Sequence, residues 1–218
     1  MSQDYPEVNI STNPLNMPVF PAVIALGANI ASPSGPPDAT LLRAFDALPG
    51  SGVRLIARSS LWRTPCMPRG AGPDYVNAAA ILETSLSPQA LLNHLHAIEA
   101  SFDRARTGRW AARTLDLDLI DFDGRIEPDA NVQATWRALP PDHQAKDAPD
   151  RMILPHPRLQ DRGFVLLPMQ EIAPDWRDPV SGLNVTALID RLPSEAKADI
   201  YPVSDTGELL SKSAGFGR

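Results

Sequence analysis

The residues best suited to chemistry lie in one stretch, from Arg104 to Asp118, where four arginines and a tryptophan precede two aspartates. Arginine side chains grip phosphate oxygens through paired N–H donors, and carboxylates hold the Mg²⁺ that neutralises phosphate charge. Asp116 and Asp118 alternate with leucines, so a strand would place both carboxylates on one face, about 6.5–7 Å apart. A pair of metal ions separated by about 3.5–4 Å would fit between carboxylates at that spacing. A lone D-x-D also suits an exposed strand face, but the upstream arginines favour metal-dependent phosphate chemistry.

The flanking segments predict the elements that must position this stretch. Apolar runs over 20–26, 53–62 and 75–84 indicate strands. One helix is predicted from a cap at Asp38 or Thr40 to Leu48, and a second from Ser87 as N-cap to about residue 102. Segments 162–172 and 185–192 suit two further helices. The order strand, helix, strand, strand, helix, strand predicts an α+β fold, a ferredoxin-like split βαβ sandwich with additional C-terminal helices.

Length and composition predict one soluble domain. The 218 residues divide into a flexible N-terminal arm (1–19), a domain (20–192) with an irregular insertion at about 127–150, and a frayed C-terminal tail (193–218). The net charge of −6 argues against a nucleic-acid partner, and no apolar run predicts a membrane span. The single cysteine, Cys66, and the lack of a secretory signal predict a cytoplasmic location.

Six segments match one known family, in that family's order. They are A-L-G-A-N-I (25–30), S-S-L-W-R-T-P (59–65), P-D-Y-V-N-A-A (73–79), the helix to Glu99, R-W-A-A-R-T-L-D-L-D (109–118) and L-P-H-P-R-L-Q-D-R-G-F-V-L-L-P-M-Q-E-I-A-P (154–174). Each is weak alone, but the six together are highly specific. The chain resembles the 6-hydroxymethyl-7,8-dihydropterin pyrophosphokinases, enzymes of folate synthesis.

The resemblance implies a reaction and a set of residues for it. The β,γ-pyrophosphoryl group of ATP would move to the hydroxymethyl oxygen of 6-hydroxymethyl-7,8-dihydropterin, releasing AMP. Two Mg²⁺ ions are the implied cofactors, held by Asp116 and Asp118, which would act in catalysis with Arg104 and Arg113. Nucleotide contacts are implied for Glu99, Arg106, Arg109, Trp110, Arg151, His156 and Arg162. Pterin contacts are implied for Thr64, Pro65, Met67, Tyr75, Asn77 and Phe164, with Tyr75 and Phe164 as the aromatic pair that sandwiches the ring.

The sequence departs from the family pattern beside its arginines. Asp103 stands where a glycine is usual, and Ala111-Ala112 replaces a usual Gly-Pro pair. These changes keep open a nucleotide sensor of the same fold without activity, as the second of two alternatives. The first is a nucleotidyltransferase that releases pyrophosphate, which Gly27-Ala28 and the D-x-D pair superficially resemble. The first usually places its aspartates soon after a glycine motif, whereas here Gly27 and Asp116 are far apart. Contact between the 127–150 insertion and another enzyme of folate synthesis is a further possibility.

Overall fold

One antiparallel sheet organises the part of the chain that the computed structural model describes: residues 18–50, 52–66, 69–70, 72–103, 114–140, 143 and 149–204. The elements are β1 (Phe20–Ala28), α1 (Pro37–Ala47), β2 (Val53–Arg58), β3 (Leu61–Thr64), β4 (Tyr75–Thr84), α2 (Pro88–Ser101), β5 (Asp116–Phe122), α3 (Ala130–Ala138), α4 (Gly163–Ile172), α5 (Val185–Arg191) and β6 (Tyr201–Val203). Short 3₁₀ turns at Leu159–Asp161 and Ser194–Ala196 flank α4 and α5. No described helix has both the length and the apolar character that a membrane crossing requires.

The strand order confirms the predicted fold class. The sheet runs β5-β1-β4-β3-β6, with β2 also paired to β4, and every pairing is antiparallel. Helix α1 connects β1 to β2, and α2 connects β4 to β5, so each helix crosses over a neighbouring strand. This is the split βαβ arrangement expected of a ferredoxin-like sandwich.

Different helices pack on the two faces of the sheet. On one face Leu26 of β1 and Leu117 of β5 pack in a core with α1 and α2. On the other face Ala25 and Ile120 pack against α4 and α5. Because successive side chains along a strand point to opposite faces, Asp116 and Asp118 lie on the face that carries α4 and α5.

The strand predicted over 53–62 is two strands, which corrects the sequence-based assignment. Arg58 lies opposite Ala80 and Trp62 lies opposite Asn77, so four residues on one side span three on the other. This extra residue is a β-bulge, which alternation alone does not reveal. The predicted cap of the first helix is also wrong: α1 begins at Pro37 without a side-chain cap.

The described parts of the predicted irregular insertion and of the predicted frayed tail each contain one regular element. In the insertion, residues 130–138 form α3, whose N-cap Asp129 accepts hydrogen bonds from two backbone N–H groups. The buried side of α3 is polar, with Gln133 fully buried, and this explains why no apolar stripe marked it. In the tail, β6 pairs with β3. The division into arm, domain and tail stays a prediction.

Candidate active site

A row of small residues forms the floor between the two predicted carboxylates and Asn77. Gly27 of β1 lies opposite Asp116 of β5 on one side and Asn77 of β4 on the other. Ala25 likewise lies opposite Asp118. Residues opposite each other in an antiparallel ladder point to the same face, so these side chains share the α4 side of the sheet. A Cβ atom at Gly27 would lie only 2.9 Å from the Asn77 Oδ1 atom, so glycine permits this close packing.

The carboxylate pair lies beside the arginine that directly precedes α4. Asp116 and Asp118 are both half-buried. Arg162, which directly precedes α4, donates from Nη1 to Asp118 Oδ2 at 3.1 Å, and the side chains are 20% and 36% exposed. The same guanidinium lies 5.6 Å from the ring centroid of Phe164, a cation–π distance. The structure thus brings together Asp118, Arg162 and Phe164, for which metal, phosphate and pterin contacts respectively are predicted.

His156 is held next to this group by its backbone. Its N–H donates to the Ile120 carbonyl at 2.8 Å, and its Nδ1 accepts from the Arg158 N–H at 3.1 Å. Burial and the cationic Arg162 and Arg158 together lower the pKa of His156 to about 4, although Asp118 opposes the shift. The imidazole is therefore neutral at physiological pH, with Nε2 as its donor.

Glu99 supports β5 from α2. Its side chain is 1% exposed, and its Oε1 accepts from the Leu117 N–H at 2.8 Å. Leu117 lies between the two aspartates, so Glu99 fixes the outer edge of the strand where they are located. Arg151, which is also predicted to contact the nucleotide, is exposed and pairs with Asp150 at 3.1 Å.

Two residues predicted to contact the pterin are hydrogen-bonded to each other. Asn77 donates from Nδ2 to Thr64 Oγ1 at 2.6 Å, and both side chains are buried. Tyr75 lies opposite Thr64 in the β3–β4 ladder, on the same face. A cavity of about 370 Å³ adjoins Thr64 and Pro65, and Arg63, Arg69, Asp74 and Tyr201 also line it.

The remaining predicted residues lie outside the described part of the chain. They are Met67, Arg104, Arg106, Arg109, Trp110 and Arg113. Their roles stay predictions. Sequence reasoning missed Gly27 as a member of the site, although it lies within a matching segment. Its pairing with both neighbouring strands, which only the structure shows, identifies it.

The donor set fits Mg²⁺. The described residues contain no group of three or more histidine, cysteine, aspartate or glutamate side chains placed to hold a metal. Mg²⁺ is commonly bound by one or two carboxylates, with substrate phosphates and water as its other ligands. Asp116 and Asp118, on one half-buried face, supply that number of hard oxygen donors.

The comparison with protein families now decides the assignment. The family model for 7,8-dihydro-6-hydroxymethylpterin-pyrophosphokinase (HPPK) matches residues 23–174. The chain belongs to the HPPK family. The matched range contains Asn77, both aspartates, His156 and Arg162, which are the described centre of the site.

Curated relatives support the family assignment. A Synechocystis protein named 2-amino-4-hydroxy-6-hydroxymethyldihydropteridine pyrophosphokinase is 38% identical over 195 residues, covering 89% of this chain and 88% of its own length. A Pseudomonas aeruginosa protein of the same name is 37% identical over 172 residues, covering 79% of this chain and 91% of its own.

Solved structures share the fold. Wild-type Plasmodium falciparum HPPK-DHPS matches with a TM-score of 0.54 at 14% identity, over 80% of this chain and 45% of that chain. The same protein with pteroate matches with a TM-score of 0.56 at 12% identity, over 80% and 44%. This chain therefore spans less than half the length of those HPPK-DHPS chains, and at such identities the likeness concerns the fold alone.

Proposed function

We propose that this chain transfers pyrophosphate from ATP to 6-hydroxymethyl-7,8-dihydropterin, giving the pterin diphosphate and AMP, a step of tetrahydrofolate synthesis. The observation that carries the proposal is the HPPK match over residues 23–174. The paired carboxylates on β5, beside Arg162, give it a physical basis. The chain acts on small molecules in the cytoplasm.

Asp116 and Asp118 would hold the two Mg²⁺ ions of the proposed reaction. Two like charges 7 Å apart repel by about 0.6 kcal/mol in water and by more where water is excluded, so the pair favours a cation. Mg²⁺ held there would neutralise phosphate charge and lower the pKa of the pterin hydroxyl. In-line phosphoryl transfer depends mainly on positioning and charge neutralisation, so no side-chain base is required.

The nucleotide side of the site is formed mainly by arginine side chains and one neutral imidazole. Arg162, already beside Asp118 at 3.1 Å, donates N–H groups to the transferring phosphates. His156 offers a neutral Nε2–H, because its pKa is lowered to about 4. Further phosphate and nucleotide contacts come from Arg104, Arg106, Arg109, Trp110, Arg113 and, less centrally, Glu99 and Arg151.

The pterin side uses fixed polar atoms and two aromatic rings. The 2.6 Å hydrogen bond between Asn77 and Thr64 fixes both side chains in the floor of the site. Tyr75 and Phe164 sandwich the ring, and Pro65 and Met67 contact its edge. Phe164 is 37% exposed, so its ring surface is accessible to a ligand.

Product analysis tests this proposal. The protein is incubated with Mg²⁺, ATP and 6-hydroxymethyl-7,8-dihydropterin, and nucleotides and pterins are separated by chromatography. AMP and the pterin diphosphate should appear in equal amounts. Pyrophosphate without AMP would indicate a nucleotidyltransferase. Tight ATP binding without turnover would indicate a sensor, and either result would refute the proposal.

Contact with another enzyme of folate synthesis stays a prediction. The solved HPPK-DHPS chains support it, because their name joins HPPK to a second protein in one polypeptide.

A further inference from the structure

Glu171 of α4 accepts hydrogen bonds from two residues, one directly before β3 and one within it. Its Oε2 accepts from the Ser60 N–H at 2.7 Å, and its Oε1 accepts from the Trp62 Nε1–H at 3.0 Å. Both carboxylate oxygens are therefore used, each by a different part of the same short segment. The side chain is half-buried, so these bonds are partly shielded from competing water.

The segment that Glu171 holds is the β-bulge between β2 and β3. Ser60 lies between the ladder positions Arg58–Ala80 and Trp62–Asn77, where three residues face two. A bulge leaves a backbone group outside the ladder, and here the Ser60 N–H finds its acceptor in Glu171. Because a shift of one residue turns every following side chain to the other face, this bulge decides that Thr64, and not Arg63, shares a face with Asn77.

Helix α4 links the same carboxylate to the other wall of the site. Phe164 and Glu171 are seven residues apart, so they lie on nearly the same side of the helix, about 10.5 Å apart along its axis. Val165 and Met169 pack α4 onto the sheet between them. A single helix thus carries Phe164 near one end and the bonds to β3 near the other.

We propose that Glu171 is a positioning residue for the pterin: its carboxylate bridges Ser60 and Trp62 and thereby fixes the distance between Thr64 on β3 and Phe164 on α4. Glu171 does not touch the substrate. The inference deepens the proposed pyrophosphokinase function and rests on it. Its consequence is specific, because loss of the bridge should weaken the pterin half of the site and leave the nucleotide half intact.

Three variants and one control separate positioning from general stabilisation. In E171Q an NH₂ group replaces one carboxylate oxygen. This NH₂ must face either the Ser60 N–H or the Trp62 Nε1–H, so one hydrogen bond is lost and two donors point at each other. In W62F the indole donor is absent, so the glutamine of the double variant E171Q/W62F can direct its oxygen to the Ser60 N–H. Q170A is the control, since Gln170 is on the same helix but bonds to Thr186 on α5.

Steady-state kinetics at a temperature well below unfolding should give the following pattern. E171Q should raise the KM for the pterin about tenfold, the size of effect expected when a partly buried donor loses its acceptor, with the KM for ATP unchanged. W62F should raise the pterin KM about threefold, and the double variant should raise it by the same factor. Two independent changes would instead raise it roughly thirtyfold. Q170A should match the wild type.

Several results would overturn the inference. One is an equal increase of the KM values for ATP and the pterin in E171Q. Another is normal kinetics in E171Q with only a lower Tm. A third is a thirtyfold increase of the pterin KM in the double variant. If E171Q does not fold, an unchanged pterin KM in W62F would overturn it as well. No turnover by the wild-type protein would refute the proposed function itself, whereas normal wild-type turnover with unaffected variants would refute only the role of Glu171.

Discussion

Replacing Arg137 by methionine should destabilise the protein by about 3 kcal/mol at pH 7. Arg137, on α3, donates to both oxygens of Asp178 at 3.2 and 2.7 Å. The Asp178 side chain is fully buried and that of Arg137 is 15% exposed. Removal of one partner from a buried pair costs about 3–5 kcal/mol, and the lower end applies because Ser181 Oγ still donates to Asp178 at 2.6 Å. Since 1 kcal/mol shifts Tm by about 2–4 °C at this size, we expect a decrease of about 6–12 °C.

Urea denaturation at several pH values, with R54M as a matched control, tests this estimate. Arg54 pairs with Glu83 at 2.9 Å but is 67% exposed, so its loss should cost less than about 1 kcal/mol. Burial alone would raise the pKa of Asp178, but hydrogen bonds from Arg137 and Ser181 lower it overall. The wild-type pair therefore stabilises the fold above about pH 4 and loses this effect at lower pH. In R137M the buried Asp178 carboxyl should take up a proton. The difference in free energy of unfolding between the wild type and R137M should therefore shrink as the pH falls. Equal losses in R137M and R54M would refute the reasoning.

Three further predictions concern the site. G27A should raise the KM for the pterin about tenfold, because its Cβ would lie 2.9 Å from Asn77 Oδ1 and displace that side chain; an unchanged KM would show that the amide adapts. Between pH 8 and pH 5 the imidazole resonances of His156 should move by no more than about a tenth of their full titration shift in an NMR experiment, because its pKa is lowered to about 4; a midpoint near 6.5 would contradict the assigned environment. D116A and D118A should each abolish turnover with unchanged circular dichroism, and near-normal rates in either variant would contradict the metal assignment.

The strands and helices around the core follow from local patterns, and this is why the sequence predicts them well. Ser87 as N-cap with Pro88 behind it marks the beginning of α2, and the Ser87 side chain does accept from the Ala90 N–H. The alternation around Asp116 and Asp118 predicts a strand with both carboxylates on one face, and β5 confirms it. These features depend on residues close together in the chain.

The features that sequence analysis missed depend on contacts between distant residues. The bulge before β3 is fixed by Glu171, 111 positions from Ser60. Helix α3 is held by the Arg137–Asp178 pair and by Gln133, whose Nε2 donates to the Pro155 carbonyl at 3.1 Å, so it has a polar buried side instead of an apolar stripe. No periodicity in a single segment records such pairings.

The most direct test of the central claim follows both terminal phosphates of ATP. Wild-type protein is incubated with Mg²⁺, the pterin and ATP carrying distinguishable labels on its β- and γ-phosphorus atoms, and the pterin product is isolated. Because the pyrophosphoryl group moves as one unit, both labels should appear in the pterin diphosphate in a 1:1 ratio, with one AMP per product. Transfer of the γ label alone, or recovery of both labels as free pyrophosphate, would contradict the account.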